Sequence, residues 1–179
     1  MTIVYQNVVS DQDLVQILEL QKRNSPTSIS VTEKQTEGFV TVKHNIELLK
    51  QMNTKCPHII AKNNNKVIGY ALSMVKAFKN DISVLKPMFT EIEKNITNTL
   101  KYIVMGQICI DKAYRKKGVF RGLYAYMQQQ LNKEYDAIIT EVDTKNLRSL
   151  NAHKAVGFKT LTTYISNNQE WAVIIWKWK

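Results

Sequence analysis

Residues 111–123 read Asp-Lys-Ala-Tyr-Arg-Lys-Lys-Gly-Val-Phe-Arg-Gly-Leu, so Lys112, Arg115, Lys116, Lys117 and Arg121 gather about Gly118 and Gly122. Such a stretch can hold a polyanion if it opens a helix. The first amides of a helix lack backbone partners and carry a partial positive charge, and a glycine lets the backbone come close to a phosphate. The flanking cations could then meet ribose and diphosphate oxygens. Taken alone, a basic run of this kind is more often a solvated turn. Neither the P-loop pattern nor the GxGxxG dinucleotide fingerprint is present.

Other side chains offer less. Cys109 lies between Ile108 and Ile110 with no identifiable histidine partner, so a buried structural thiol is the better reading. Cys56 and Cys109 stand far apart without CxxC spacing, which suggests neither a disulfide framework nor a zinc site. His44 and His58 lack ligand-like spacing, and no metal is expected. Trp171, Trp176 and Trp178 serve the packing of the last strand or a dimer edge.

The elements that must position the basic stretch can be read from periodicity. Residues 3–9 alternate as a strand, and Ser10 offers an N-cap with Asp13 three residues on. Leu14, Ile17, Leu18 and Gln21 follow at helical spacing. Residues 22–43 turn polar around Pro26 and Gly38, so a loop with weak helix is expected there. Ile46, Leu49 and Met52 suggest a short helix, and residues 58–62 and 67–74 a hairpin closed at Asn63, Asn64 and Asn65. Between Lys79 and Leu100, the spacing of Ile82, Leu85, Phe89 and Ile92 fits an amphipathic helix despite Pro87, as an insertion on one edge.

Residues 102–110 are nearly all apolar, the pattern of a strand buried on both faces, with Gly106 marking a bulge or splay. After the basic stretch, Val119, Leu123, Met127 and Leu131 form a helical stripe, and residues 137–142 another buried strand. This is a strand, helix, strand crossover around the basic loop. Residues 146–156 read as a helix ended by Gly157, and residues 158–166 and 171–178 as two closing strands joined near Asn167 and Asn168. Asn146, Ser149 and His153 would share one helical face.

Bulk properties bound the function. The chain of 179 residues suits one domain over residues 1–179, and 44% apolar with 22% charged residues fits a packed globular protein. No apolar run approaches the roughly 18 residues needed to span a bilayer, and the N-terminus lacks a basic start followed by an apolar stretch, so a cytoplasmic protein without membrane partners is expected. The net charge of +10 favours polyanions without choosing between a phosphate-rich cofactor and a nucleic acid.

In context, the basic stretch resembles the Q/R-x-x-G-x-G/A signature of the GCN5-related N-acetyltransferases, matched by Arg115, Gly118 and Phe120. Phe120 departs from the usual Gly or Ala, so its ring must turn away from a diphosphate or the loop must shift. Resemblance extends to the hairpin segment Val67, Ile68, Gly69, Tyr70 and Ala71, and residues 146–158 resemble the family's N-x-x-A/S-x-x-x-Y-x-x-x-G-F stretch. The resemblance implies a mixed α/β fold, with a mostly antiparallel sheet of about seven strands, a splayed parallel pair and flanking helices.

It also implies an N-acetyltransferase using acetyl-coenzyme A as cosubstrate, with direct attack by a primary amine and no covalent enzyme intermediate. Backbone groups of Ile108, Cys109 and Ile110 would pair with the pantetheine arm and polarise the thioester carbonyl. Arg115, Lys116, Lys117, Gly118, Val119, Phe120 and Arg121 would hold the diphosphate, and Asn146 and Ser149 would meet the pantetheine region. His153 stands where many relatives have a tyrosine that protonates the departing thiolate, a job an imidazolium can do if its pKa stays near neutral. Its plainer alternative is a packed histidine outside the chemistry. Glu141 and Gln107 are the nearest polar candidates for a general base, and a solvated or structural role is the plainer reading of each.

Two other readings remain open. A nucleic-acid module would use the same cations and nearby Tyr114 and Phe120, but no helix-turn-helix, zinc or RNP pattern is present. A coenzyme A-binding protein without turnover would keep the fold and lose catalysis. The acceptor is a small-molecule or peptide amine, since Glu33, Glu37, Glu91 and Glu93 are isolated acids rather than a dense cluster for a polycation.

Overall fold

The computed structural model describes residues 2–25, 27–28, 40 and 42–179. Its strands join in one seven-stranded sheet of order β1-β2-β3-β4-β5-β7-β6, mostly antiparallel with one parallel pair and with flanking helices, as the resemblance implies. The chain divides into two compact units, Met1–Ser73 with Gly106–Gln129, and Met74–Met105 with Gln130–Lys179.

In the first unit, β1 (Ile3–Asn7) runs antiparallel to β2 (Ile59–Asn63), which runs antiparallel to β3 (Lys66–Met74). Asn64, at φ 54, turns the expected hairpin in the left-handed region that asparagine tolerates. Helix α1 (Asp11–Arg23) starts as the sequence predicts, with the Ser10 side chain accepting from the Asp13 amide. The Asp13 carboxylate answers one residue earlier than a standard capping box, accepting from the Val9 amide. Helix α2 (Ile46–Lys55) is capped by Asn45 in the same way.

The core of this unit gathers Leu14, Ile17 and Leu20 of α1 with Leu49, Ile60, Val67 and Leu72. Helix α4 (Val119–Leu131) buries the predicted stripe of Val119, Leu123, Met127 and Leu131. Its seat is close. A methyl group on Gly69 would lie 3.2 Å from Val119 Cγ1 and 3.4 Å from Leu123 Cδ1, and the Tyr5 ring occupies the space where a side chain on Gly122 would project.

In the second unit, Tyr102, Ile103 and Val104 of β4 (Tyr102–Ile110) run parallel to Ala137, Ile138 and Ile139 of β5 (Ala137–Asp143). Strand β5 pairs antiparallel with β7 (Gln169–Lys177), and β7 with β6 (Lys159–Ser166) through a turn at Asn167 and Asn168, both with positive φ. Helix α5 (Leu147–Val156) runs between its expected cap, Asn146, and Gly157.

The segment after β3 differs from its periodicity. Two short 3-10 turns, Lys76–Asn80 and Ser83–Leu85, precede α3 (Lys86–Asn95). Pro87 explains the delayed start. It falls in the first helical turn, where a missing amide costs nothing and the fixed φ helps. Helix α3 buries Met88, Phe89 and Ile92 and lies against β6 and β7. Most of the loop expected over residues 22–43, including Glu33 and Glu37, lies outside the described residues. Among the described residues no helix is long and apolar enough to cross a membrane.

Gly157 gives this architecture a sharp test, because it sits at φ 127 and a methyl group there would lie 2.8 Å from Trp176 Nε1. Gly157→Ala is expected to lower stability by roughly 1–3 kcal/mol from backbone strain alone. Urea unfolding of the variant with an unchanged midpoint would refute that seat for α5.

Candidate functional site

Strand β4 delivers the chain from its buried segment straight into the basic loop. The Asp111 amide bonds Ile68 O of β3 at 2.8 Å, and the Asp111 side chain accepts from the Ala113 amide, opening a single 3-10 turn at Lys112–Tyr114. Lys116 and Gly118 then take positive φ, 60 and 79. For Gly118 the reason is conformational, since a methyl group there would touch nothing within 4 Å. The open space leaves the backbone accessible.

The Gly122 amide bonds Gly118 O at 2.9 Å, so the amides of Val119, Phe120 and Arg121 precede the helical ladder of α4. Exposed Lys112, Lys116, Lys117 and Arg121 surround this entrance, with the Lys117 ammonium 5.4 Å from the centre of the Tyr114 ring. These are the requirements of an anion site. Phe120 is turned along the helix, its ring edge-on to that of buried Tyr124 at 5.1 Å.

Arg115 does something the sequence did not announce. Its guanidinium folds back, donating through Nε to Ile110 O at 3.3 Å and through a terminal nitrogen to Asn24 Oδ1 at 2.8 Å. Beside it, Arg23 reaches Asp111 at 3.5 Å. The loop is therefore tied to the end of α1 by residues that lie 88 and 91 positions apart in sequence.

Gln107 is held by three side-chain hydrogen bonds. Its Oε1 accepts from Tyr70 Oη at 2.6 Å and Gln21 Nε2 at 2.8 Å, and its Nε2 donates to Val42 O at 2.9 Å. Gln21 Oε1 in turn accepts from the His44 amide. With both lone pairs of its oxygen engaged, Gln107 has a structural role, the plainer of its two readings. Cys109 is buried and its thiol is pushed up to about 12, chiefly by burial, which removes it as a nucleophile.

In the second unit, Asn146 spends its side-chain oxygen on the Ser149 amide at 3.0 Å. His153 Nδ1 bonds Ser149 O at 2.8 Å, and the ring stands edge-on to Phe158 at 5.1 Å. Burial lowers the imidazole pKa to about 4. The shift disfavours the imidazolium form, because burial withholds the solvent that would stabilise the charge.

Glu141 shows the opposite shift. Burial raises its carboxyl to about 7, and the Tyr164 hydroxyl, which donates to Oε2, only partly offsets this. Tyr164 on β6 was not foreseen, because only the β5-β7-β6 order brings it near Glu141. Asn146, Ser149 and His153 come together on α5, while Arg115 and Asn24 come together in the first unit. Among the described residues, no three His, Cys, Asp or Glu side chains are grouped to hold a metal ion.

The model of the Acetyltransferase (GNAT) family matches residues 14–158. No curated protein matches the chain. Among solved structures, the chain is similar to a NatC complex bound to Gag peptide and CoA, at 16% identity and TM-score 0.70, covering 100% of both chains. It is also similar to YncA, a putative acetyltransferase from Salmonella typhimurium with its cofactor acetyl-CoA, at 11% identity and TM-score 0.68, covering 100% of this chain and 95% of that one. Naa50 of Arabidopsis thaliana with the bisubstrate analogue CoA-Ac-MVNAL gives 15% identity and TM-score 0.66, covering 98% of each chain.

The buried titrating groups fix how stability should respond to acid. Burial holds His44, His58 and His153 at about 4, 3 and 4, against 6.5 for an exposed imidazole. Below pH 6.5 the unfolded chain takes up protons that the folded chain refuses, so this stability is present above pH 6.5 and lost as pH falls toward 4. Glu141 acts oppositely, since the folded chain binds its proton below pH 7 while the unfolded carboxyl stays ionised down to about 4.5. Three protons against one leave a loss of about 2–3 kcal/mol per pH unit near pH 5. Chemical unfolding at pH 7 and pH 5 with equal midpoints would contradict the neutral histidines.

Proposed function

Because the chain belongs to the acetyltransferase (GNAT) family, we propose that it moves the acetyl group of acetyl-coenzyme A to a primary amine by direct attack in a ternary complex. The observation that carries the cofactor assignment is the entrance of α4, with its three amides ahead of the ladder, open Gly118 and surrounding lysines. Two of the similar structures were solved with CoA or a CoA conjugate and one with acetyl-CoA, which supports the same choice. The single-domain reading belongs to this proposal, supported by two units that are each discontinuous in sequence.

Acetyl-coenzyme A supplies an activated thioester carbonyl. In this reading the amides of residues 117–121 hold the diphosphate, aided by Lys116, Lys117 and Arg121. The backbone of Ile108, Cys109 and Ile110 pairs with the pantetheine arm, with Asn146 and Ser149 as further contacts. Oriented donors of this kind accelerate acyl transfer by fixing geometry and by stabilising the developing oxyanion.

Glu141 is the general base. A carboxyl near 7 is about half ionised at neutral pH and can accept a proton from an ammonium, leaving the amine lone pair free to form the new N–C bond. The C–S bond breaks as the resulting oxyanion collapses, and the second proton leaving the acylated nitrogen goes to the departing thiolate, giving the amide and the coenzyme A thiol. His153 acts here as a neutral imidazole that orders the first turn of α5 through Ser149 O, rather than as the imidazolium acid.

A peptide or small-molecule amine is the acceptor class, on the precedent of the Gag peptide and of the peptide analogue in two similar structures. A cytoplasmic location belongs to the same reading. The second reading, cofactor binding without turnover, is favoured by the depressed pKa of His153.

Coenzyme A at about 100 times its Kd should stabilise the chain by about 2.7 kcal/mol, visible as a raised Tm. No shift at millimolar ligand would overturn the cofactor assignment. Glu141→Gln is expected to lower kcat about 10²- to 10³-fold toward an amine panel and to abolish the rise of kcat near pH 7. Thiol release unchanged in that variant would remove Glu141 from the chemistry. His153→Phe should retain the pH profile of the parent, and a lost alkaline limb would instead restore the imidazolium role.

A further inference from the structure

We propose that Asn24 and Arg115 are positioning residues that couple the phosphate-binding loop to the Val40 and Val42–His44 backbone, so that loading coenzyme A tightens both. The inference rests on the cofactor reading above. Asn24 is buried, follows the last residue of α1, and makes four bonds in different directions. Its amide caps α1 at Gln21 O, its Nδ2 donates to Leu20 O at 2.9 Å, its Oδ1 accepts from Arg115, and its carbonyl accepts from the Val40 amide at 3.1 Å.

Arg115 carries the other half. Its second donor goes to Ile110 O, at the end of β4, so its position is set on both sides of the basic loop. A guanidinium is suited to this, because its planar fork spans two acceptors and keeps its charge when partly buried. The carbonyls at the end of α1 also carry partial negative charge, which favours a cation there.

A second path joins the same parts. Gln107 bonds Val42 O and Gln21, and Gln21 bonds the His44 amide, so β4 and α1 grip the Val42–His44 backbone two and four residues beyond Val40. Order imposed on the loop by a diphosphate is therefore passed to this backbone through contiguous bonds with no slack side chain between them. In this reading Arg115 serves to position the loop, and the diphosphate is held mainly by the amides and the lysines.

Hydrogen exchange with and without saturating coenzyme A tests the coupling. In the parent chain the ligand should slow exchange at residues 117–121, and also at the Val40 and His44 amides by about fivefold or more. Asn24→Ala keeps the Asn24 carbonyl and the Val40 bond, so in it the loop should still respond while the effect at Val40, which the Gln107 and Gln21 bonds do not reach, falls below about twofold. Asn24→Asp retains the acceptor for Arg115 and should restore the response. Should Asn24→Ala fail to fold, Arg115→Lys keeps the charge but loses the fork, with the same expected loss. Coenzyme A that binds without slowing Val40 and His44, or an undiminished effect at Val40 in the folded variants, overturns the coupling. Absence of coenzyme A binding to the parent chain overturns the cofactor reading instead.

Discussion

The close seat of α4 against the strands beneath it is the constraint on which the candidate site depends. Where Gly69 meets Val119 and Leu123, and Gly122 meets Tyr5, only one partner's side chain lies between helix and strand. Interiors are packed too densely for such a helix to shift by an ångström without losing contacts along its length. The position of the helix entrance is thus settled by apolar packing several residues downstream of it. An anion site made of amides has no side chains of its own to adjust, so it takes its accuracy from that packing.

Around this seat, polar groups are spent sparingly and nearly all on backbone. Gln21, Gln107, Asn24 and Arg115 each bond main-chain groups as well as one another, which holds irregular backbone beside the core without leaving it unsatisfied. The same dryness sets the protonation states. It keeps three histidines neutral and a glutamic acid near half ionisation, so the acid-base character of the chain comes from burial more than from charge pairs.

Much of this was legible in order of appearance. Caps at Ser10 and Asn146, the Asn64 turn, the α4 stripe and the buried β4 are local patterns, and local geometry realises them. The basic loop was legible for the same reason, being contiguous. Proline in the first turn of α3 is also a local rule, but apolar spacing across residues 79–100 masked it. Long-range partners were hidden. Nothing in the run around Arg115 points to Asn24, and nothing around Glu141 points to Tyr164, because those meetings are made by strand order and helix placement. The burial that strips His153 of its charge is likewise a property of the assembled unit, invisible in a helical wheel.

The pairing of Phe120 with Tyr124 has a consequence for how this chain can change over generations. Tyr124 is fully enclosed, so its ring is a fixed wall, and an aromatic one turn earlier is parked against it instead of over the helix entrance. The two positions form a conditional pair. A lineage could trade Phe120 for a small residue at the cost of a packing contact, whereas losing the ring at 124 first would release Phe120 toward the amides. Divergence at these two sites should therefore have a preferred order, with 120 free to move and 124 held until it has.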